Sequence, residues 1–350
     1  MDSRSDVLAL TSVVNIAYCT GFEGVFDDEP AHVALVSDTE LVLLTDSRYA
    51  ETIRQAAVGS AWRIELVTAP MATAVGEYLA ASRARILAIE ASTPHSRFQA
   101  LAGAFAGDVV EATDWVEEIR TVKDANELAA IARSQELTDR AFDHLLAEEV
   151  LRLGVAERDI ALELEFFMRR EGSDGVAFPP IVASGPNAAL PHAIPGTRRL
   201  ETGDFVVLDF GARVGGYCAD MTRTVVIGSA SERQRTIYGV VRAANAAGES
   251  ALRAGVTARE VDAAARSVIA GAGLAEYFGH GLGHGVGREI HELPKIGPRI
   301  ESSIPAGAVV TVEPGIYIPG FGGVRIESLA VVQQGGARVL TRSTTDLLEL

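Results

Sequence analysis

The chain has 350 residues, 48% hydrophobic and 22% charged, the balance of a globular protein long enough for about two domains. Its 47 acidic residues against 31 basic ones give a formal net charge of −16. That sign repels phosphate backbones and anionic lipid, so it disfavours nucleic acid and membranes as partners.

No apolar stretch is long enough to span a bilayer. The start, Met1-Asp-Ser-Arg-Ser-Asp6, is charged and followed by only a short apolar run. It does not read as a signal peptide, and a cytoplasmic location is expected. Cys19 and Cys218 lie far apart in apolar stretches, which predicts buried thiols in a reducing compartment.

Residues 32–37 and 40–46 read as adjacent strands joined by a Ser-Asp-Thr turn. Residues 62–68 and 85–90 read as further strands, with helical stretches near 49–57 and 71–81. Thr93-Pro94 has the form of an N-cap followed by proline in the first helical position. Strands alternating with helices predict a small α/β domain over residues 1–120.

A second domain is expected over residues 121–350. Leu128, Ile131, Leu137, Ala141, Leu145 and Leu146 recur at helical spacing, and long helices are expected over 124–149, 156–171, 231–253 and 257–272. Runs rich in valine and isoleucine predict strands over 205–210, 222–227, 309–312 and 323–332. Helices on one side of a mostly antiparallel sheet make this domain, and the chain as a whole, α+β.

Five candidate metal ligands fall in this second domain. Asp209 closes the apolar run Val-Val-Leu-Asp, and Asp220 follows eleven residues later. The Gly215-Gly216 pair between them suits a hairpin turn that would bring the two aspartates together. His284 lies in a glycine-rich run, where backbone can approach a site closely. Glu313 lies in Thr-Val-Glu-Pro-Gly, and Glu327 in Val-Arg-Ile-Glu, where strand alternation puts Arg325 on the same face.

Taken singly, a strand-end aspartate is usually a turn residue and a lone histidine a structural one. Together, four carboxylates and an imidazole in apolar or glycine-rich surroundings suit a pair of hard or borderline divalent ions. Two such ions ionise a shared water and polarise a carbonyl. His280, His291 and His192 are the candidates to donate or accept protons around the reacting atoms.

The run from Phe278 to Pro294, with Gly-His-Gly-Leu-Gly-His-Gly at its start and Ile-His-Glu near its end, resembles the histidine signature of the pita-bread metallopeptidases. The similarity is to the subgroup of aminopeptidase P and prolidase. Asp209, Asp220, Glu313 and Glu327 match the other four ligands of that family. The segment from Val182 to His192 resembles its substrate loop, and Asn15 to Gly21 and Thr45 to Tyr49 resemble its amino-terminal segment.

The resemblance implies a pita-bread catalytic domain behind a creatinase-like first domain. It further implies cleavage of the Xaa-Pro bond in dipeptides or short peptides, with two divalent ions, manganese replaceable by cobalt or zinc. It implies that Asp209 and His284 each bind one metal and that Asp220 and Glu327 bridge. Glu313 would be both ligand and general base, His291 would stabilise the oxyanion, and His192 would contact the scissile nitrogen. His280, Tyr317 and Arg325 would shape the substrate pocket.

Ser328 departs from the family, where aspartate is common after the bridging glutamate. The first domain, which has no chemical motif of its own, is expected to restrict the cleft to short peptides across a homodimer interface. The alternative is a non-peptidase hydrolase or lyase on the same metal-binding fold. A non-catalytic adaptor is disfavoured by the intact ligand set.

Overall fold

The computed structural model describes residues 5–27 and 29–350; the charged residues Met1–Arg4 and their bearing on a signal peptide lie outside it. Contacts divide the chain into two compact units between Ile119 and Arg120.

The first unit holds β1 (Val7–Leu10), α1 (Val13–Thr20), β2 (Val33–Ser37), β3 (Leu41–Thr45), α2 (Ala50–Ala56), β4 (Arg63–Leu66), α3 (Met71–Ser82), β5 (Ile86–Glu90), α4 (His95–Gly103) and β6 (Asp108–Ala112). Its six strands form one sheet in the order β4-β3-β2-β1-β5-β6. β1–β2 and β2–β3 pair antiparallel, while β1–β5, β3–β4 and β5–β6 are parallel. Apolar side chains fill both faces of the sheet.

β1 does not stand out in the sequence. Its four residues are buried on both faces, so they form a continuous apolar run without alternation. α4 begins one residue later than Thr93-Pro94 suggests. Pro94 itself is the N-cap, and Thr93 Oγ1 bonds Thr11 Oγ1 at 2.6 Å instead.

Cys19 corrects an expectation. It is exposed, because α1 buries Asn15, Ile16 and Ala17 and turns Cys19 outward. Cys218 is buried, and neither cysteine forms a disulfide.

α5 (Trp115–Thr121) leads into the second unit, which opens with α6 (Ala125–Ala147) and α7 (Glu157–Arg170). α6 starts where Asp124 and Glu127 form a reciprocal capping box. α8 (Glu232–Ala251) and α9 (Ala258–Gly271) start in the same way, on Ser231/Gln234 and Thr257/Glu260.

Around the helices lie β7 (Gly175–Val176), β8 (Ile181–Ser184), β9 (Phe205–Phe210), β10 (Ala212–Val214), β11 (Tyr217–Cys218) and β12 (Met221–Val226). The remaining strands are β13 (Gly283–Gly285), β14 (Glu292–Ile296), β15 (Val309–Val312), β16 (Gly315–Ile318), β17 (Gly322–Arg325), β18 (Ser328–Gln333) and β19 (Gly336–Val339). They form an antiparallel trio β12-β9-β8, an antiparallel five-stranded sheet β14-β13-β15-β18-β19, a second trio β11-β10-β7 and the hairpin β16-β17. This is the expected α+β domain. α6 and α7 share one core with β8 and β9, and α8 and α9 share another with β15 to β18.

Two local features place the site. Gly215 and Gly216 take φ of +58° and +75° and join β10 to β11 as a two-residue hairpin. The chain then returns so that β12 pairs with β9, with Thr222 opposite Asp209. At Gly211 a Cβ would lie 1.8 Å from the Ala219 carbonyl oxygen, so only glycine lets the backbone beside Asp209 close against the backbone beside Asp220.

The strand expected over 323–332 is in fact two. β17 ends at Arg325 and β18 starts at Ser328, in different sheets, with Ile326 and Glu327 at the break. Ser328 is buried opposite Val312.

Candidate metal centre

The end of β9 supplies Asp209, the residue before β12 supplies Asp220, and β13 supplies His284. Glu313 follows β15, and Glu327 sits at the break between β17 and β18. All five line one cleft of about 510 Å³, together with His192, His280, His291 and Arg325. Asp220, His284 and Glu327 each place a ligand atom within 4.8 Å of the others.

The electrostatics follow from burial. Asp220 and Glu327 are only 4% and 1% exposed. Burial first, and then the neighbouring carboxylates, push both well above the usual carboxylate range. Burial likewise raises Asp209, although Arg325 beside it pulls the other way. Burial would also raise Glu313, but the hydrogen bond and charge of His284 outweigh it and hold Glu313 at about 2.

His284 Nε2 lies 3.3 Å from Glu313 Oε1 and 3.6 Å from Asp220 Oδ2. Its Nδ1 is 3.1 Å from the Gly285 carbonyl, which assigns a hydrogen to Nδ1 and leaves Nε2 facing the carboxylates. Burial works against a charged His284, yet the Glu313 partner raises it above the usual imidazole range. A proton or a cation on Nε2 would meet the same acidic pair.

The donor set fits a hard or borderline divalent cation. Four carboxylates converge with one imidazole, and buried charges of one sign are costly without a counter-ion. Among the described residues, the buried oxygens Asp209 Oδ1 and Asp220 Oδ1 find no hydrogen-bond partner, so each has a lone pair to give.

Arg325 is 3% exposed. It donates from Nη2 to Asp209 Oδ2 at 2.5 Å and from Nε to Thr222 Oγ1 at 3.0 Å. It also donates from Nη1 to Tyr317 Oη at 2.8 Å and to the Pro191 carbonyl at 3.3 Å. Its guanidinium is thus committed within the protein, holding the residue before His192. Tyr317 Oη in turn lies 3.1 Å from His280 Nε2, whose Nδ1 lies 2.8 Å from the Gly281 carbonyl. With Nδ1 as the donor to Gly281, His280 Nε2 accepts from the tyrosine hydroxyl. Burial moves Tyr317 up to about 12 and His280 below its ordinary value.

His192 and His291 are both exposed on the cleft wall. The His291 ring meets His284 edge-on at 4.4 Å, and partial desolvation on the side facing the cleft, then the His284 charge, lower it below the usual imidazole range. The loop before His192 is tied down by buried Glu157, which accepts from Ser184 N and Oγ at 2.8 and 2.7 Å and from Asn187 Nδ2 at 3.0 Å.

Two residues that order the ligands escape a search for ligands. Thr222 Oγ1 donates to Glu327 Oε2 at 2.7 Å while accepting from Arg325. Thr311 Oγ1 accepts from His284 N at 3.1 Å and donates to Glu313 Oε1 at 3.2 Å. Arg325 and Glu327 meet at Thr222 Oγ1 although Glu327 lies beyond the end of β17, and the same spacing of two residues relates Asp220 to Thr222 and Thr311 to Glu313, which is the signal a search for ligands passes over.

Comparison with known proteins gives a consistent picture. Residues 129–334 match the model of metallopeptidase family M24, and residues 2–122 that of the creatinase/prolidase N-terminal domain. An uncharacterized peptidase of Bacillus subtilis, YqhT, is 37% identical over 349 residues, covering 99% of this chain and 96% of its own. The solved structure of an Xaa-Pro dipeptidase from Bacillus anthracis superposes with a TM-score of 0.93 at 38% identity, covering 99% of this chain and 95% of that one. An X-Pro aminopeptidase from Thermotoga maritima gives 0.88 at 34% identity, covering 99% and 98%.

Proposed function

The chain belongs to metallopeptidase family M24, and from that premise we propose that it hydrolyses the peptide bond preceding proline in dipeptides or short peptides. It is a metallopeptidase with the pita-bread fold. The observation that carries the reading is the convergence of Asp209, Asp220, His284, Glu313 and Glu327 in one cleft, with two buried carboxylate oxygens open to a cation.

Those five residues would hold two divalent ions, manganese by preference and cobalt or zinc as substitutes. When bound, the ions supply Lewis acidity and make water nucleophilic near neutral pH. Glu313 Oε1 is engaged by Thr311 and faces His284, which leaves Oε2 to take the proton of the attacking water. His291, on the cleft wall beside His284, donates to the oxygen that gains charge as the carbonyl becomes tetrahedral. His192 contacts the proline nitrogen, which has no hydrogen of its own, and supports its departure. His280, Tyr317 and Arg325 shape the pocket for the proline side through their mutual bonds.

The test is hydrolysis of Ala-Pro and Ala-Pro-Ala by protein stripped of metal and refilled with manganese, with products separated by chromatography. Release of alanine from either substrate supports the reading, and the preferred substrate assigns dipeptidase or aminopeptidase action. No release from either, with metal bound, refutes it in favour of a non-peptidase hydrolase or lyase. A homodimer as the active species belongs to the same proposal and is checked by light scattering at twice the chain mass.

A further inference from the structure

Outside the ligand set, one buried charged cluster lies directly against a site residue. Glu292, the first residue of β14, follows His291 and sits opposite Gly285, the neighbour of His284. Its side chain is 5% exposed and bonds Arg120 Nη2 and, at 3.1 Å, Lys123 Nζ, whose side chains are 2% and 1% exposed. Both cations come from the segment leading into α6, far away in sequence. Burial works against all these charges, and a buried ion cluster adds little net stability over well-packed apolar residues of the same shape.

The cluster does fix geometry. Glu292 Oε1 also accepts from Glu289 N at 2.9 Å, which closes the loop 287–291 back onto the carboxylate. A Cβ on Gly287 would lie 2.4 Å from Glu292 Oε2, so the loop packs onto that carboxylate at its other end as well. The His291 ring is exposed and, among the described residues, makes no hydrogen bond of its own; its contact is the edge of His284. Its position is therefore set by backbone, and that backbone is held by Glu292.

We propose that Glu292, clamped between Arg120 and Lys123, is a positioning residue for His291, holding its imidazole where the reacting carbonyl oxygen gains charge. The inference rests on the Xaa-Pro reading above. Displacing a group by about 1 Å costs up to about a hundredfold in rate, so loosening the clamp lowers turnover without touching the ligands.

The experiment is a double-mutant cycle, on whichever of Ala-Pro and Ala-Pro-Ala the wild type cleaves faster, with manganese-loaded protein: Lys123→Met and Glu292→Gln, each alone and combined with His291→Ala, with metal content and melting temperature measured alongside. In the presence of His291, each clamp variant is expected to lose about tenfold or more in kcat, with KM within about twofold and metal content unchanged. In the His291→Ala background the same substitutions cost no more than about twofold further, because the group they position is gone. Equal losses in both backgrounds, loss of metal, or no loss of kcat overturns the inference. Where a variant does not fold, Arg120→Lys, which keeps the charge and moves the contact, enters the same cycle under the same criteria. A wild-type protein that binds metal but leaves both Ala-Pro and Ala-Pro-Ala intact fails the Xaa-Pro reading and takes this inference with it; additive losses on an active wild type fail the inference alone.

Discussion

Replacing Thr222 by valine keeps the shape of a fully buried β-branched residue and deletes one hydroxyl. That hydroxyl donates to Glu327 Oε2 at 2.7 Å and accepts from Arg325 Nε at 3.0 Å. The Arg325 partner is charged, and a hydrogen bond to a charged group is worth about 1.5–3 kcal/mol, while the bond to the buried Glu327 carboxyl is worth about 1 kcal/mol. Some of that returns as the partners relax, so the net loss is taken as about 3 kcal/mol. For a domain of this size it lowers the melting temperature by about 6–12 °C.

The effect on metal is separate. Glu327 loses the donor that orients it, and loss of such an outer partner reduces metal affinity about 10–100-fold. Differential scanning calorimetry of metal-free protein and calorimetric titration with manganese measure the two quantities independently. A Thr222→Val protein that binds manganese within twofold of wild type would refute the assignment of Thr222 as an orienting residue, whatever its melting temperature.

Other outcomes follow from the same geometry. Asp220→Asn removes one of the crowded buried carboxylates, so at pH 8 the metal-free protein should melt higher, by about 2–4 °C per kcal/mol of repulsion relieved. The same variant should lose most of the stabilisation that manganese gives and nearly all turnover; a lower metal-free melting temperature would contradict the repulsion argument. His291→Ala should keep its metal and lose kcat, and loss of metal equal to that in Asp220→Asn would contradict the division of roles. Gly283→Ala places a Cβ 2.2 Å from the Thr311 carbonyl oxygen, a backbone clash worth about 3 kcal/mol or more. Reduced melting temperature and weaker manganese binding should appear together there, and a wild-type melting curve would rule out the clash.

The first domain supplies a pH prediction. Burial lowers His32 from 6.5 to about 4, so between these values the unfolded chain binds a proton that the folded one does not. Stability from this residue is therefore present above pH 6.5 and lost as pH falls towards 4, to a total of about 3 kcal/mol. Both tryptophans, Trp62 and Trp115, lie in this unit, and their fluorescence follows its unfolding. The stability difference between wild type and His32→Gln should shift against wild type by about 2–3 kcal/mol from pH 7 to pH 4.5; a constant difference would refute the shift.

Much of the site is legible in the sequence because each ligand breaks a local rule. Asp209 ends a run that should be wholly apolar, and His284 lies among glycines that form only the short, irregularly paired strand β13. The long helices are legible for the opposite reason: α6, α8 and α9 open on capping boxes and keep an apolar face at helical spacing. Other features were hidden by partners distant in the chain. β1 looks like any apolar run until β2 and β5 flank it. The break at Ile326–Glu327 is invisible because both halves favour strand. Thr222 reads as an ordinary strand threonine, although its acceptor is 105 residues away. Glu292 reads as a surface charge until Arg120 and Lys123 arrive from 172 and 169 residues earlier.

The most direct test is a comparison of Ala-Pro with Ala-Ala, and of Ala-Pro-Ala with Ala-Ala-Ala, before and after manganese is returned to stripped protein. No turnover is expected without metal, and once metal is restored at least one proline substrate should turn over at least tenfold faster than its alanine counterpart. No cleavage of either proline substrate, equal cleavage within both pairs, or cleavage that does not depend on metal would contradict the Xaa-Pro reading.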